Sequence, residues 1–149
     1  GDQAFCAGAD LATGKFFKFD YSEPRLPMPE LYRVARDCGV PIVGRINGTC
    51  MAGGMGLLAI CDLAIAADDA IFGASEINWG ILPGGNVAWI MTQLMSYRHA
   101  MHYAITGETW DGKKAVEIGA VNYALERARP APHPSARPAP PVQSSAAPV

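Results

Sequence analysis

Three segments of different character follow one another between residues 40 and 67, and together they constrain the fold most. The run VPIVGRI is short and rich in β-branched residues, and it ends at Asn47-Gly48, a turn signal. MAGGMGLLAI then has the character of an apolar helix entered through glycines, and CDLAIAA has that of a second strand. This order predicts a βαβ unit with parallel strands and a right-handed crossover, and so an α/β fold.

Further elements are predicted on both sides of this unit. Residues 1–11 have the pattern of a strand end that turns into the loop CAGADL, and residues 12–29 are expected to be irregular. Residues 30–38 have helical spacing, with a shared apolar face and Gly39 as the stop. That face consists of Leu31, Val34, Ala35 and Cys38. The remaining predicted elements are a strand at AIFG, helices at 86–95 and 98–105, a helix DGKKAVEIG that begins at Asp111, and a closing strand AVNYAL.

The end of the chain differs from the rest in composition. Residues 127–149 hold seven of the 12 prolines and three arginines, with no acidic or aromatic residue. Such a segment cannot bury enough apolar surface to offset its ordering entropy. We therefore expect a partial domain over 1–126 and a disordered or non-native tail over 127–149. The chain has a net charge of −2, which gives no electrostatic case for a nucleic-acid partner.

Cysteine spacing and hydropathy give expectations about environment. The four cysteines include no C-x-x-C pair and make no zinc pattern with the three histidines, so we expect free, mostly buried thiols, no metal site and a reducing cytoplasm. The start of the chain has no leader-peptide pattern. The uncharged stretch from Ile77 to Tyr97 contains LPGGN and scattered amides, which argues against a membrane span.

Two glycine-containing loops are candidates for binding an anion through backbone amides. Gly53 and Gly54 stand at the predicted helix entry, where amide N–H groups have no partner within the helix and glycine permits close approach. Gly8 and Ala9 offer a second loop that could converge with the first on one oxygen. From these residues alone, a packing role for Gly53 and Gly54 and a tight turn at Gly8 and Ala9 are the favoured alternatives. Neither a G-K-[ST] nor a G-x-G-x-x-G pattern is present, so phosphate-loop chemistry is not indicated.

Glu76 is the candidate for proton transfer. It lies between uncharged residues in FGASEINWG, and a pocket formed by Ile77 and Trp79 would disfavour its ionised form. The alternative is a surface glutamate on a loop. His99 and His102 are spaced for one helix face without a carboxylate motif, which favours a surface or packing role.

These motifs, in this order, resemble the crotonase superfamily, the enoyl-CoA hydratase/isomerase proteins. AFCAGADL resembles its first oxyanion segment, and the stretch from PIVGRING to SEINWGILPGG resembles its central signature. SEINWGI and AITGETWDGKKAVEIGAVN resemble the hydroxycinnamoyl-CoA (feruloyl-CoA) hydratase-lyases in particular. The resemblance implies a crotonase-like ββα spiral core, of which this chain would be a part.

The resemblance also implies a site. The amides of Ala9 and Gly53 would form an oxyanion hole for a CoA thioester carbonyl, and Glu76 would activate water and return a proton. Asp10, Leu11 and Ala12 would lie along the acyl-CoA channel. No metal or redox cofactor is implied, because the oxyanion hole takes the role of the electrophile, and coenzyme A is part of the substrate. The resemblance further implies trimers or hexamers for full-length members, an assembly that this partial chain need not form.

One departure from the family pattern bears on the reaction. Typical hydratases carry a second glutamate on the helix after the glycines, and this chain has Gly56 there. The hydratase-lyases also lack that glutamate. The expected activity is therefore hydration of an enoyl-CoA, with a hydroxycinnamoyl-CoA as one candidate substrate. An isomerase, a dehydratase, a thioester hydrolase, or an inactive piece that serves as an assembly surface are the alternatives.

Overall fold

A computed structural model describes residues 3–10, 12, 27–84 and 86–127, without the side chains of residues 27–29. The described strands are Ala4–Cys6 (β1), Val43–Ile46 (β2), Thr49–Met51 (β3), Leu63–Ala67 (β4), Ile71–Gly73 (β5), Trp110–Asp111 (β6) and Tyr123–Leu125 (β7). The described α-helices are Pro27–Arg36 (α1), Gly53–Leu58 (α2), Val87–Leu94 (α3), Tyr97–Thr106 (α4) and Gly112–Glu117 (α5). A 3-10 helix spans Ser75–Trp79.

The strands form two sheets between which the chain alternates. In the four-stranded sheet, β1, β3 and β5 are parallel neighbours, and β6 pairs with β5 in the antiparallel direction. In the three-stranded sheet, β2, β4 and β7 are all parallel. Each step from β2 to β3 and from β4 to β5 is short and changes sheet, which agrees with a spiral of ββα units.

The predicted parallel pairing of the central unit is confirmed, but one strand within it was missed. β2 and β4 pair with Val43 opposite Leu63 and Ile46 opposite Ala66. Between them, Met51 ends β3, so α2 begins at Gly53 and not at Met51 as predicted. A strand of three residues has no periodicity of its own. It forms because β1 and β5, both distant in sequence, pair with it on either side.

The core is formed by residues of both sheets and of the helices α2 to α5. The Phe72 ring on β5 stacks on the Trp110 ring on β6 with centroids 6.2 Å apart. Tyr103 of α4 covers Trp110 at 4.2 Å between centroids. The Met55 sulfur of α2 lies 4.0 Å from the Cys50 sulfur of β3, a central strand of the same sheet. The apolar faces of α2 and α4 therefore pack on this sheet, which fixes where α2 begins.

Helix α1 differs from its prediction in its bounds and in its environment. It starts at Pro27 because proline is tolerated in a first helical turn, and it ends at Arg36, so Cys38 lies beyond it. Leu31 is 39% exposed and Val34 is 54% exposed, so the predicted apolar face is not covered by described residues. Helical spacing predicts a helix, but it cannot tell whether another element covers the apolar stripe.

The cysteines are free, as predicted, but they are not mostly buried. Cys50 is buried, Cys6 and Cys61 are half-buried, and Cys38 is exposed. The prediction relied on the general tendency of cysteine to be inside proteins. Cys38 departs from that tendency because it follows the end of α1 on the surface.

The remaining predicted elements agree with the structure within a few residues. The start of α5 is confirmed, since the Asp111 carboxylate accepts the Lys114 amide at 2.7 Å and so caps the helix. Arg127, the first residue of the predicted tail, donates to the Asp69 carboxylate at 2.9 Å. The rest of that tail lies outside the described residues, as does most of the segment expected to be irregular.

The outer face of the three-stranded sheet is apolar and exposed. Its side chains include Val43, Leu63, Tyr123 and Leu125, each about half exposed or more. Parallel sheets generally have both faces covered. Among the described helices, none is long and apolar enough to cross a membrane.

Candidate active site

The three segments singled out from the sequence meet at one edge of the four-stranded sheet. β1 ends at Cys6, β3 at Met51 and β5 at Gly73, and these strands are adjacent and parallel. Ala9, Gly53 and Glu76 therefore each follow the carboxyl end of a neighbouring strand by two or three residues. Neighbouring strands lie about 4.8 Å apart, so the three segments span roughly 10 Å. The carboxyl edge of parallel strands is where α/β proteins commonly bind ligands.

The loop after β1 lies directly against the start of α2. A Cβ built at Gly8 would lie 3.1 Å from the Ala52 Cβ and 3.6 Å from the Gly53 nitrogen. Gly8 also has φ of +99°, a conformation that side chains disfavour. A Cβ at Gly54 would overlap the Cys6 carbonyl oxygen. Glycine is therefore required on both sides of this contact, which brings the two candidate amide segments together.

The candidate oxyanion amides have no acceptor among the described residues. Gly53 is the first residue of α2, so its N–H has no partner within the helix. Neither the Gly53 amide nor the Ala9 amide donates a hydrogen bond to a described residue. The amide before Gly53 is occupied, since the Ala52 amide donates to the Gly73 carbonyl at 2.9 Å. That bond ties the loop before Gly53 to the strand before Glu76.

Ala52 has an unusual backbone conformation, with φ of 48° and ψ of −117°. Residues other than glycine seldom adopt positive φ, and such outliers persist where surrounding contacts hold them. Here the Gly73 carbonyl and the Gly8 loop both contact Ala52. Nothing in the sequence indicated this strained turn, because alanine has no preference for it.

Glu76 is buried with one oxygen unpaired. Its exposed fraction is 7%, and no other charged residue among those described is buried. Its Oε2 atom has no hydrogen-bond partner in the described structure. Burial raises the pKa of the Glu76 carboxyl, and its own backbone amide partly offsets this. The sequence left open whether Glu76 is a surface residue or a buried one, and the structure shows that it is buried.

The neighbours of Glu76 do not form its pocket, contrary to the sequence interpretation. Ile77 is 43% exposed and Trp79 is 62% exposed. The 3-10 helix instead packs against α4, and a Cβ at Gly107 would lie 2.8 Å from the Ile77 Cγ2. A 3-10 turn directs consecutive side chains to different sides. Glu76 is therefore turned inward, while Ile77 and Trp79 face outward.

The other predicted site residues are placed as follows. Asp10 and Ala12 are exposed, and the Ala12 amide donates to the Asp10 carboxylate at 3.0 Å, a local turn. Leu11 lies outside the described residues. Gly56 is buried one turn after Gly53 on α2 and carries no carboxylate. A channel role for residues 10–12 stays a prediction.

The histidines take the surface role predicted for them. His99 is exposed, and the His102 Nε2 atom lies 3.0 Å from the exposed Glu108 carboxylate. Within the described part of the chain, no group of three or more His, Cys, Asp or Glu side chains is arranged to hold a metal ion.

Comparison with known families decides which family this arrangement represents. The family model described as enoyl-CoA hydratase/isomerase matches residues 1–129. The chain belongs to the enoyl-CoA hydratase/isomerase family. The resemblance to the crotonase superfamily is thereby confirmed.

Individual members of the enoyl-CoA hydratase/isomerase family agree with this assignment. The chain is 38% identical over 135 residues to a hydroxycinnamoyl-CoA hydratase-lyase from Pseudomonas fluorescens, covering 85% of this chain and 48% of that protein. The crystal structure of an enoyl-CoA hydratase from Mycobacterium smegmatis matches with a TM-score of 0.71 at 27% identity, over 84% of this chain and 49% of that one. Pseudomonas aeruginosa AtuE matches with a TM-score of 0.74 at 30% identity, over 84% of this chain and 50% of that one.

This chain shares the family fold with its relatives over part of their length. The chain spans about half the length of the relatives it matches. The parallel strands β1, β3 and β5, which Ala9, Gly53 and Glu76 follow, lie within that half. Sequence reasoning did not find the contact of Gly8 with Gly53, or the buried Nε1 of Trp110 on β6, which has no partner in the described structure.

Proposed function

We propose that this chain carries the acyl-CoA site of an enoyl-CoA hydratase or hydratase-lyase. In this proposal, the Ala9 and Gly53 amides bind the thioester oxygen, and Glu76 alone moves the protons. The observation that carries the proposal is the buried Glu76 carboxyl with an unpaired oxygen. It lies in the 3-10 helix that follows β5, and β5 pairs with β3, the strand that leads to Gly53.

The hydration step can be written with these groups. The Glu76 carboxylate takes a proton from water as the water oxygen bonds to the β-carbon of the enoyl thioester. The electron pair of the double bond moves to form an enolate, whose oxygen receives hydrogen bonds from the Ala9 and Gly53 amides. The protonated Glu76 then returns the proton to the α-carbon. Preorganised donors aimed at a developing negative oxygen are among the largest contributions to catalysis.

The environment of Glu76 suits both halves of this cycle. A general base and acid works best when its pKa is near the working pH, and burial raises the pKa of the Glu76 carboxyl in that direction. A single carboxyl that first accepts and then donates the same proton needs no partner. Gly56 stands where typical hydratases carry a second glutamate, and the absence of a carboxylate there is compatible with this scheme.

Cleavage after hydration is the finer part of the proposal. If the substrate is a 4-hydroxycinnamoyl thioester, Glu76 removes the proton of the new β-hydroxyl group. The bond between the α- and β-carbons then breaks, which releases an aromatic aldehyde and leaves the enolate of acetyl-CoA on the same amides. Glu76 protonates that enolate at carbon. The similarity to the hydroxycinnamoyl-CoA hydratase-lyase from Pseudomonas fluorescens supports this substrate class.

Turnover of two thioesters tests the proposal. The purified chain is incubated with crotonyl-CoA and with feruloyl-CoA, loss of the enoyl absorbance is followed, and aldehyde is measured for the second substrate. We expect loss of enoyl absorbance with at least one of them, and aldehyde with feruloyl-CoA if cleavage follows. A chain that is fully folded by circular dichroism and turns over neither substrate contradicts the proposal.

The competing function is an inactive piece that acts as an assembly surface. The exposed apolar face of the three-stranded sheet, with Val43, Leu63 and Tyr123, favours it. It predicts a folded chain without turnover, whereas an isomerase, a dehydratase or a thioester hydrolase predicts conversion to a different product. Product analysis by mass spectrometry separates these three from hydration.

A further inference from the structure

The loop between α4 and β6 lies beside the 3-10 helix that carries Glu76. This support loop consists of residues 107–109 and follows Thr106, the last residue of α4. It belongs to the segment AITGETW, which is part of the sequence that resembles the hydratase-lyases. The proposed reaction gives the support loop no part, so its contacts with the 3-10 helix point to a different role.

Gly107 is in contact with the 3-10 helix, and a side chain at this position would not fit. A Cβ built there would lie 2.7 Å from the Asn78 Oδ1 atom and 2.8 Å from the Ile77 Cγ2 atom. Gly107 also has φ of +68°, which side chains disfavour, and its amide donates to the Tyr103 carbonyl at 3.0 Å. The turn that ends α4 is therefore closed, and its backbone lies directly against the residues that follow Glu76.

The support loop is held at its other end by β5 and β6. The Thr109 Cγ2 atom would lie 3.2 Å from a Cβ built at Gly73, the last residue of β5. The next residue, Trp110, is opposite Phe72 in the antiparallel pair of β5 and β6, and the two rings stack. Because the support loop is anchored on α4 at one end and on β5 at the other, we expect it to hold its position against the 3-10 helix.

The 3-10 helix has little internal support. It is five residues long, and so short a helix gains little stability from its own hydrogen bonds. At its end, the Gly80 amide donates to the Ile77 carbonyl at 3.0 Å, and the Ile81 amide donates to the Glu76 carbonyl at 3.3 Å. Ile77 and Trp79 are exposed. The rotation that turns Glu76 inward therefore depends on the element packed against this helix, which is the end of α4 with the support loop.

We propose that Gly107 is a positioning residue for the Glu76 carboxyl. By leaving room for the Ile77 and Asn78 side chains, Gly107 sets the rotation of the 3-10 helix about its axis and so the direction of the carboxyl. The Ile77 Cγ2 atom transmits the contact, because it is bonded directly to Cβ and moves only with the side-chain rotamer or with the helix backbone. The kinetic consequence rests on the proposed function, in which Glu76 moves the protons, whereas the placement of the carboxyl does not.

Titration of the Glu76 carboxyl tests its placement without reference to turnover. The chain has six glutamates, so carbon-13 NMR of protein labelled at glutamate Cδ follows each carboxyl against pH, and the Glu76→Gln variant identifies the Glu76 signal. Burial raises the pKa of this carboxyl, and its own backbone amide partly offsets this. The charged residue of the support loop, Glu108, is exposed and pairs with His102 of α4. A rotated 3-10 helix should expose the Glu76 carboxyl, so we expect Gly107→Ala to lower its titration midpoint by about 0.5 pH unit or more.

Turnover measures the consequence for the reaction. Gly107→Ala should lower kcat by about 10- to 100-fold and keep KM within about twofold, because the proton carrier is displaced and the oxyanion amides are not. Gly119→Ala is the matched control, since Gly119 has φ of +86° and its Cβ would lie 2.5 Å from the carbonyl oxygen of Leu94, in α3. This control should lose stability in urea unfolding but keep both kcat and the Glu76 titration midpoint.

A double variant separates the contact from the backbone strain. Ile77→Ala/Gly107→Ala keeps the strained φ but lacks the Cγ2 atom, and the Asn78 amide can rotate away. We expect this variant to recover most of the kcat and of the Glu76 midpoint lost in Gly107→Ala, while Ile77→Ala alone stays close to the unmodified sequence, so the two effects are not additive. Gly107→Asn takes the place of Gly107→Ala if circular dichroism shows that the alanine variant does not fold, since asparagine tolerates positive φ.

The contrary results are equally specific. A Glu76 titration midpoint that Gly107→Ala leaves in place overturns the proposal. So do equal losses of kcat in Gly107→Ala and Gly119→Ala, and so does a double variant that recovers nothing. If the unmodified sequence turns over neither crotonyl-CoA nor feruloyl-CoA, the proposed function has failed, and the carbon-13 titration still decides whether Gly107 positions the Glu76 carboxyl.

Discussion

Gly8 and Gly53 are in direct backbone contact: a Cβ built at Gly53 would lie 3.7 Å from the Gly8 Cα. This contact places the amide-bearing loop after β1 against the first residue of α2. It exists because Gly8 lacks a side chain, which would meet Ala52 at 3.1 Å, and because Gly8 adopts φ of +99°. The geometry of the proposed oxyanion hole therefore depends on two glycines that are 45 positions apart in the chain.

Gly8→Ala should reduce both stability and turnover. The new methyl group would meet Ala52 at 3.1 Å, and the positive φ adds strain, so we expect a loss of about 1–2 kcal/mol in the free energy of unfolding. A displaced Ala9 amide should lower kcat by about 10- to 100-fold. Urea unfolding and the enoyl-CoA assay measure the two effects. Gly39→Ala is the matched control, since its methyl group would meet nothing, and equal losses in both variants would contradict the prediction.

Glu76→Gln should abolish turnover and keep binding. The amide has the shape of the carboxyl but cannot carry the proton, and loss of general acid–base catalysis lowers rates by about 10²–10⁴-fold. The Kd of a non-reacting acyl-CoA, measured by calorimetry, should change little. Glu117→Gln removes an exposed carboxyl that pairs with Lys114 and should leave turnover unchanged. A Glu76→Gln variant that keeps most of its activity would refute the proton-transfer role.

Glu76 should also make stability depend on pH in a particular direction. Because burial raises the pKa of its carboxyl above the value in the unfolded chain, the folded state holds this proton more tightly. The free energy of unfolding contributed by Glu76 should therefore fall as pH rises from about 4.3, the unfolded value, through the raised folded pKa. Urea unfolding of the unmodified sequence and of Glu76→Gln over this pH range measures the difference. A difference that stays constant with pH would show that Glu76 does not titrate abnormally.

Gly54→Ala should destabilise the fold strongly. Its methyl group would overlap the Cys6 carbonyl oxygen, so α2 must move away from β1. Overpacking of this kind typically lowers the free energy of unfolding by about 1–3 kcal/mol. The control is Gly84→Ala, whose methyl group would meet nothing within 4 Å. Thermal unfolding of both variants checks the prediction, and an unchanged midpoint for Gly54→Ala would show that α2 does not pack as described.

Much of the local structure followed from short-range patterns. The runs that became β2 and β4 are apolar and bounded by turn residues, and Asp111 marks the start of α5 by its capping side chain. The order of the motifs around Gly53 and Glu76 was sufficient to indicate the family, which comparison confirmed. These features can be predicted from the sequence because each depends on residues that are close together in the chain.

Other features depended on contacts that no local pattern encodes. The strand Thr49–Met51 forms because β1 and β5 pair with it on both sides. The apolar stripe of α1 predicted a buried face, yet Leu31 and Val34 are exposed. Cys38, expected inside, lies on the surface for the same reason: propensity and spacing describe an element but not what packs against it.

The order of residues specifies which groups are available: two glycine loops, one glutamate among uncharged residues, and a βαβ order that makes the strands parallel. Long-range pairing in the strand order β1-β3-β5 brings Ala9, Gly53 and Glu76 to one edge of a sheet. Packing of the folded chain also buries Glu76 while Ile77 and Trp79 stay exposed. Burial is a sum over neighbours brought from distant parts of the chain, and a residue's own sequence neighbours are a small part of that sum.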